Sequence, residues 1–261
     1  MVLIFYKYQG TGNDFIMINQ FDVDEFDLST DQIEALCDRR FGIGGDGLII
    51  LRKDPEYDFK MIYYNSDGRQ SSMCGNGGRC IVQFAIDLGF IDNKCSFSAI
   101  DGIHFANAID GKIRLSMNDV QTVDSIGEAY VLDTGSPHYV IERDDEISAK
   151  DFKSLASKIR YSEDFKQNGI NVNTYCERSV NHIIGLTYER GVEDITWSCG
   201  TGVVAMAISY IKSHKSNGEH KVTVDNLGGK LEAEFKYDDN VFSEIYLIGP
   251  AEYVFKGSFS L

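Results

Sequence analysis

The chain has 261 residues, of which 43% are hydrophobic, enough for one large core or two medium ones, and the length favours two domains. With 25 basic and 40 acidic residues its formal net charge is −15, a field that repels nucleic acid and anionic membrane surfaces, so neither is an expected partner. No apolar run is long enough to span a bilayer, and the opening MVLIFYKYQG lacks the form of a signal peptide, which points to a soluble, cytoplasmic protein.

In chain order, Val2–Tyr6 and Phe15–Ile18 read as strands, followed by an amphipathic helix after Thr30 over DQIEALCDRR. Leu48–Leu51 and Phe59–Tyr64 are the next strands. Cys80–Leu88 (CIVQFAIDL) is apolar almost all round and predicts a helix enclosed by other structure. Ile103–Ile109 and Ile113–Met117 are strands joined by Asp110-Gly111, a type I′ hairpin signal. Tyr139–Ile141 is a strand, and AKDFKSLASKIR after Ser148 is a second amphipathic helix with a hydroxyl cap. Ile183–Tyr188 leads to a second enclosed helix, Val203–Ile211 (VVAMAISYI), and Val222–Val224, Leu231–Phe235 and Val241–Ile248 complete the strands.

The two enclosed helices share an introduction. NSDGRQSSMCGNGGRC precedes the first and ERGVEDITWSCGTGVVA the second, so each follows Cys-Gly-X-Gly. Cys74 and Cys199 stand close to half the chain apart, which implies an internal duplication with one cysteine at the start of each central helix. A helix N-terminus carries unpaired N–H groups and the positive end of the macrodipole, so a thiol there has its thiolate favoured and can act as a base. Glycines after it leave room for a substrate carboxylate to reach those N–H groups. Two such loops predict a carbon pinned between a thiolate base and a thiol acid, the arrangement of a two-base racemase, with Asn76, Gly77 and Thr201 lining the loops. That scheme requires no pyridoxal phosphate or other cofactor. The remaining cysteines, Cys37, Cys80, Cys95 and Cys176, read as small core hydrophobes, and no paired spacing suits a metal site.

At these residues the chain resembles the diaminopimelate epimerase family. The similarity runs nearly end to end, through GTGNDF at 10–15, RRFGIGGDGL at 39–48, YNSDG at 64–68, MCGNGGRC at 73–80, GSPHYV at 135–140, YERGVED at 188–194 and SCGTGVVA at 198–205. The resemblance implies an α/β (α+β) fold of two pseudo-symmetric domains. Each would be a curled, barrel-like, mostly antiparallel sheet around a central helix, with the active site in the cleft between them. We expect domain one to span about 1–117 and to take back the final strand at about 250–261, with domain two at about 118–249.

By the same resemblance Cys74 and Cys199 are the catalytic pair, and backbone N–H groups of Gly75, Asn76, Gly200 and Thr201 grip the α-carboxylate. Asn13, Asn65, Asn171, Glu189 and Arg190 match positions that read the distal amino-acid head. A zwitterionic head needs a bidentate cation and acceptors for its ammonium, which Arg190, Glu189 and the asparagines supply. From local pattern alone, Asn13 and Asn65 are equally turn residues, and Glu189-Arg190 a solvated surface pair.

Two positions depart from the family pattern: Ser136 stands where asparagine is common before Pro-His, and Gly47 follows the GIG-D element. Ser136 keeps one hydroxyl for the distal pocket, and His138 reads as structural or pocket-lining. The implied activity is conversion of LL- to meso-diaminopimelate, in lysine and peptidoglycan precursor biosynthesis. Rival readings are a proline or hydroxyproline racemase, which carries histidine in place of Asn76, a thiol redox protein, for which no Cys-X-X-Cys exists, and a pure binding module, which has no need for two activated thiols. A homodimer is left open.

Overall fold

The computed structural model describes residues 2–21, 26–71, 73–214 and 217–261. It divides into two compact units, one of residues 1–115 with 249–261 and one of residues 116–248. Both are mixed sheets curled on a helix.

In the first unit the strands are β1 (Val2–Gly10), β2 (Asn13–Gln20), β3 (Gly47–Arg52), β4 (Phe59–Asn65), β5 (Lys94–Ala99), β6 (Gly102–Ile109), β7 (Lys112–Ser116) and β17 (Glu252–Ser260). They lie in the order β17-β1-β2-β3-β4-β5-β6-β7, with β2–β3 and β4–β5 parallel and the rest antiparallel. Each parallel pair needs a crossover. Helix α1 (Thr30–Cys37) crosses from β2 to β3, and α2 (Gly75–Asp87) from β4 to β5. The strand β3 reads GLIILR because both of its faces are covered. Ile16, Ile18, Leu48 and Ile50 pack with Ile33 and Leu36 of α1. Phe15, Ile49 and Met61 meet the first turn of α2 at Gly77.

The second unit repeats this plan. Its strands are β8 (Val123–Ile126), β9 (Ala129–Asp133), β10 (Pro137–Glu142), β11 (Asn171–Ser179), β12 (His182–Glu189), the short β13 (Asp194–Ile195), β14 (Gly218–Asn226), β15 (Gly229–Asp238) and β16 (Val241–Gly249). The order is β8-β9-β10-β11-β12-β14-β15-β16, with β10–β11 and β12–β14 parallel, and α3 (Ala149–Arg160) and α4 (Gly200–His214) make the two crossovers. Apart from the short β13, which pairs with β12, the order and orientation of the strands are those of the first unit, which is the duplication that the repeated Cys-Gly-X-Gly motif foretold.

Helix α4 touches β9, β10, β11, β12, β14 and β15, so the sheet wraps around it. Val203, Val204, Ala205, Met206, Ala207 and Ile208 are all 0% exposed, which explains a helix without a polar face. Each of its larger side chains contributes about 1.5–3 kcal/mol by leaving water. Helix α3, by contrast, buries only Phe152 and Ala156 and is capped by Ser148, whose hydroxyl accepts from the Asp151 N–H.

The first amphipathic helix is shorter than its pattern predicts. It is capped by Ser29 rather than Thr30 and ends at Cys37 instead of reaching Arg40. Asp38 stops it: its Oδ1 accepts the N–H groups of Arg40 and Phe41 at 2.7 Å each, a local turn that competes with helix. Arg39 and Arg40 are thereby released into the loop. Asp110 and Gly111 take φ of 51° and 74°, as the expected type I′ turn requires. No helix among the described residues is long and apolar enough to cross a membrane.

Candidate active site

In the first unit Cys74 is the N-cap of α2, in extended conformation with φ −89° and ψ 130°. Its carbonyl accepts the Gly78 N–H at 2.7 Å, so the N–H groups of the first turn, including those of Gly75 and Asn76, lie ahead of the helical ladder. Asn13 reaches this point because Thr11 and Gly12, with φ of 53° and 86°, close a tight hairpin between β1 and β2. Its Oδ1 lies 3.7 Å from Cys74 Sγ and accepts from Asn76 Nδ2 at 3.2 Å.

The amide is held that way round by Asp46, whose Oδ2 accepts Asn13 Nδ2 at 2.6 Å. Asp46 is braced in turn by Arg39 at 2.6 Å, and Arg39 also binds Asp14, which pairs with buried Lys7 at 2.7 Å. Burial opposes ionisation of Asp14, but the hydrogen bonds from Arg39 and Lys7 prevail and hold its carboxyl down at about 2. Asp46 was not among the sequence candidates; its signal is an acidic residue inside a glycine run, where a bare loop would suffice. Asn65 ends β4 and opens a turn, its N–H donating to the Arg69 carbonyl and its carbonyl accepting from the Gly68 N–H at 3.0 Å each, so its backbone behaves as a turn residue.

In the second unit Cys199 immediately precedes α4 and its carbonyl accepts the Val203 N–H at 2.9 Å. Its Sγ lies 3.4 Å from Thr201 Oγ1, and His138 Nε2 lies 3.0 Å from the same hydroxyl. The tautomer of His138 follows from Asn173. Asn173 Nδ2 donates to the Tyr139 carbonyl at 3.3 Å and to His138 Nδ1 at 2.9 Å, while its Oδ1 accepts from Thr187 Oγ1 at 2.9 Å. Nδ1 is therefore the acceptor, and Nε2 carries the proton it donates to Thr201. Thr201 can then aim its own proton at the Cys199 sulfur.

Burial pushes the His138 imidazole down to about 3, with the Arg190 charge acting in the same direction. A histidine whose folded value lies below its unfolded one binds fewer protons when folded. Stability conferred by neutral His138 is thus complete above about pH 6.5 and is lost as pH falls from there toward 3. We expect acid unfolding, followed by circular dichroism, to move to lower pH in His138→Gln, provided that variant folds; an unchanged acid midpoint counts against the buried neutral imidazole. Asn173 escaped the sequence reading, although two asparagines spaced by two in an otherwise buried strand were the available sign.

Nearby, Ser136 Oγ accepts from Asn171 Nδ2 at 3.1 Å and from Arg190 Nη2 at 3.4 Å, and Asn171 Oδ1 accepts the Arg190 N–H at 2.8 Å. Arg190 Nη1 donates to the Asn168 carbonyl at 3.0 Å, which leaves an exposed guanidinium on a fixed stem. Glu189 Oε1 accepts from Thr196 Oγ1 at 2.6 Å. Glu189 and Arg190 are thus each anchored to other residues rather than forming a loose surface pair.

Several glycines at the two helix starts are closely packed. A Cβ on Gly77 would stand 3.0 Å from Ile49 Cδ1, and one on Gly78 2.8 Å from both Leu115 Cδ2 and Met73 Sδ. One on Gly202 would stand 2.7 Å from Asn173 Oδ1. At these three positions neighbouring protein atoms occupy the space a side chain would need. Cys37, Cys80, Cys95 and Cys176 are free and buried, and burial pushes the thiols of Cys80 and Cys95 up to about 12. Among the described residues no group of three His, Cys, Asp or Glu side chains could hold a metal ion.

Solved structures with this fold include a PhzF-family phenazine biosynthesis protein from Bacillus anthracis, with a TM-score of 0.74, 12% identity and 100% of both chains covered. A hydroxyproline epimerase from Agrobacterium vitis has a TM-score of 0.69 at 12% identity, covering 98% of this chain and 92% of its own. The fold places the protein in this class of two-domain α+β proteins. Within it, the diaminopimelate epimerase family matches residues 5–123 and 130–254. A diaminopimelate epimerase from Flavobacterium psychrophilum is 50% identical, covering 96% of this chain and 98% of its own. One from Aquifex aeolicus is 36% identical, covering 98% and 97% respectively. The chain belongs to the diaminopimelate epimerase family.

Proposed function

We propose that this protein is an isomerase that epimerises diaminopimelate between its LL and meso forms, using Cys74 and Cys199 as base and acid on opposite faces of one α-carbon. The observation that carries the reading is the repeated helix start: the same topological position in both units presents a cysteine followed by N–H groups outside the helical ladder. The thiolate takes the Cα proton, the electron pair of the broken C–H bond is delocalised into the carboxylate, and the other thiol protonates the far face. Donors at Gly75, Asn76, Gly200 and Thr201 stabilise that charge without reorganising. Charge and protons balance, and no oxidant is needed.

Arg190, Glu189, Asn171 and Ser136 form the distal-head site in this scheme, supported by the stem that fixes Arg190. Asn65 belongs there by family position, while Asn13, beside Cys74, serves the reacting centre instead. The cellular setting is cytoplasmic, supplying lysine and peptidoglycan precursors. A proline or hydroxyproline racemase of the same fold is disfavoured by this distal cluster, for which a cyclic imino acid has no use. The deciding experiment incubates reduced protein in D₂O with LL- and meso-diaminopimelate, lysine, proline and hydroxyproline. Deuterium enters Cα of the diaminopimelates alone; equal or faster exchange with proline replaces this reading with the racemase.

A further inference from the structure

Arg79 lies one turn into α2 and is 0% exposed. Helical side chains point back toward the N-terminus, and this one returns to the level of the first turn, where its Nη1 donates to the Gly75 carbonyl at 3.3 Å. Its Nη2 donates to Thr11 Oγ1 in the hairpin that delivers Asn13, and its Nε to the Pro250 carbonyl, both at 3.3 Å. Gly10 leaves the space: a Cβ there would stand 3.2 Å from Arg79 Nη2.

All three acceptors are neutral. A buried cation without a counter-ion is costly, and folds tolerate it where an anion is close at hand. Charged groups on the surrounding elements are already committed. Lys7, Asp14, Arg39 and Asp46 compensate one another, and Asp101, which accepts the Met73 N–H at 3.3 Å, faces His104 at 3.2 Å. Burial pulls the guanidinium down to about 10, and the groups whose negative charge acts against that pull are the thiols of Cys80 and Cys74. Cys80, pushed up to about 12 by burial, is neutral at physiological pH, whereas Cys74 directly precedes Gly75, whose carbonyl holds Arg79 Nη1 at the start of the same helix.

We propose that Arg79 is the buried counter-cation of Cys74, a positioning residue that favours its thiolate from behind the first turn of α2. Three neutral bonds to three separate segments hold the planar fork in place. When Cys74 takes a proton, the negative charge moves to the substrate carboxylate on the N–H groups of the same helix start, so Arg79 keeps a nearby anion throughout. This inference deepens the proposed acid–base role of Cys74 and rests on it.

The test reads the thiol, not turnover, and so survives failure of the epimerase reading. The full reduced chain, as wild type, Arg79→Met and Arg79→Lys, is alkylated with iodoacetamide across a pH series, and modification at Cys74 is followed by peptide mass mapping. The Arg79→Met midpoint rises by about 1–3 pH units, the usual effect of removing a close opposite charge, so labelling near neutrality slows roughly tenfold or more. Arg79→Lys, which keeps the charge, stays near the wild-type midpoint even if its melting temperature drops. A folded Arg79→Met protein with an unmoved midpoint overturns the proposal. Should Arg79→Met fail to fold, Arg79→Lys decides, because a midpoint displaced by a unit or more despite the retained charge overturns it equally.

Discussion

Replacing either Cys74 or Cys199 by serine lowers net inversion of diaminopimelate by about 10²–10⁴-fold, the usual worth of a positioned acid or base. Serine keeps the size of the side chain, and α2 and α4 need no thiol to form, so the loss is chemical rather than structural. A serine hydroxyl neither ionises near neutrality nor releases its proton readily. The surviving thiol can still remove a proton from its own face and return one there, so each variant incorporates deuterium with retention. Loss of inversion with residual exchange is the signature of two bases; chiral chromatography with mass spectrometry reads both. A Cys199→Ser enzyme that inverts at the wild-type rate removes Cys199 from the mechanism and with it the two-thiol scheme.

The second large effect is expected at Arg190. Its guanidinium is exposed, yet it is stationed by the Asn168 carbonyl, Ser136 and, through its backbone N–H, Asn171. A charged hydrogen bond to a carboxylate head contributes about 1.5–3 kcal/mol, so Arg190→Met raises KM for diaminopimelate roughly ten- to hundredfold. The distal head is unchanged as the Cα proton moves, so its binding is equal in ground and transition states and kcat falls far less. Steady-state kinetics in both directions measure the split. An unchanged KM assigns the distal head to other residues.

Much of the architecture was legible because the chain repeats itself. The Cys-Gly-X-Gly pair marked both central helices, whose all-round apolar character follows from enclosure by their sheets. Strands buried on one or both faces announced themselves as apolar runs. Those that did not were concealed by polar content: β11 (NVNTYCERS) buries Asn171, Asn173 and Thr174, which is tolerable only because partners from β10 and β12, and Ser136 just before β10, satisfy them. Likewise β17 is largely exposed and shows no alternation. In the site, the thiols were legible from position, whereas Asp46, Asn173 and Arg79 act through contacts with residues distant in sequence. Their importance is a property of what the fold brings beside them, and a linear reading sees only an acid, an amide and a base.

The return of β17 has a consequence for biogenesis. It pairs along β1 from Val2–Ser260 to Gln9–Glu252, with Phe255 edge-on to Phe5 at 5.8 Å. Residues 116–248 emerge from the ribosome as an uninterrupted unit and can collapse as soon as they are clear of the exit tunnel. The amino-terminal unit, although made first, waits with an unpaired edge until residues 252–260 have followed. Vectorial synthesis therefore finishes the two homologous halves in reverse order, and removing residues 252–260 damages the half that was born earliest.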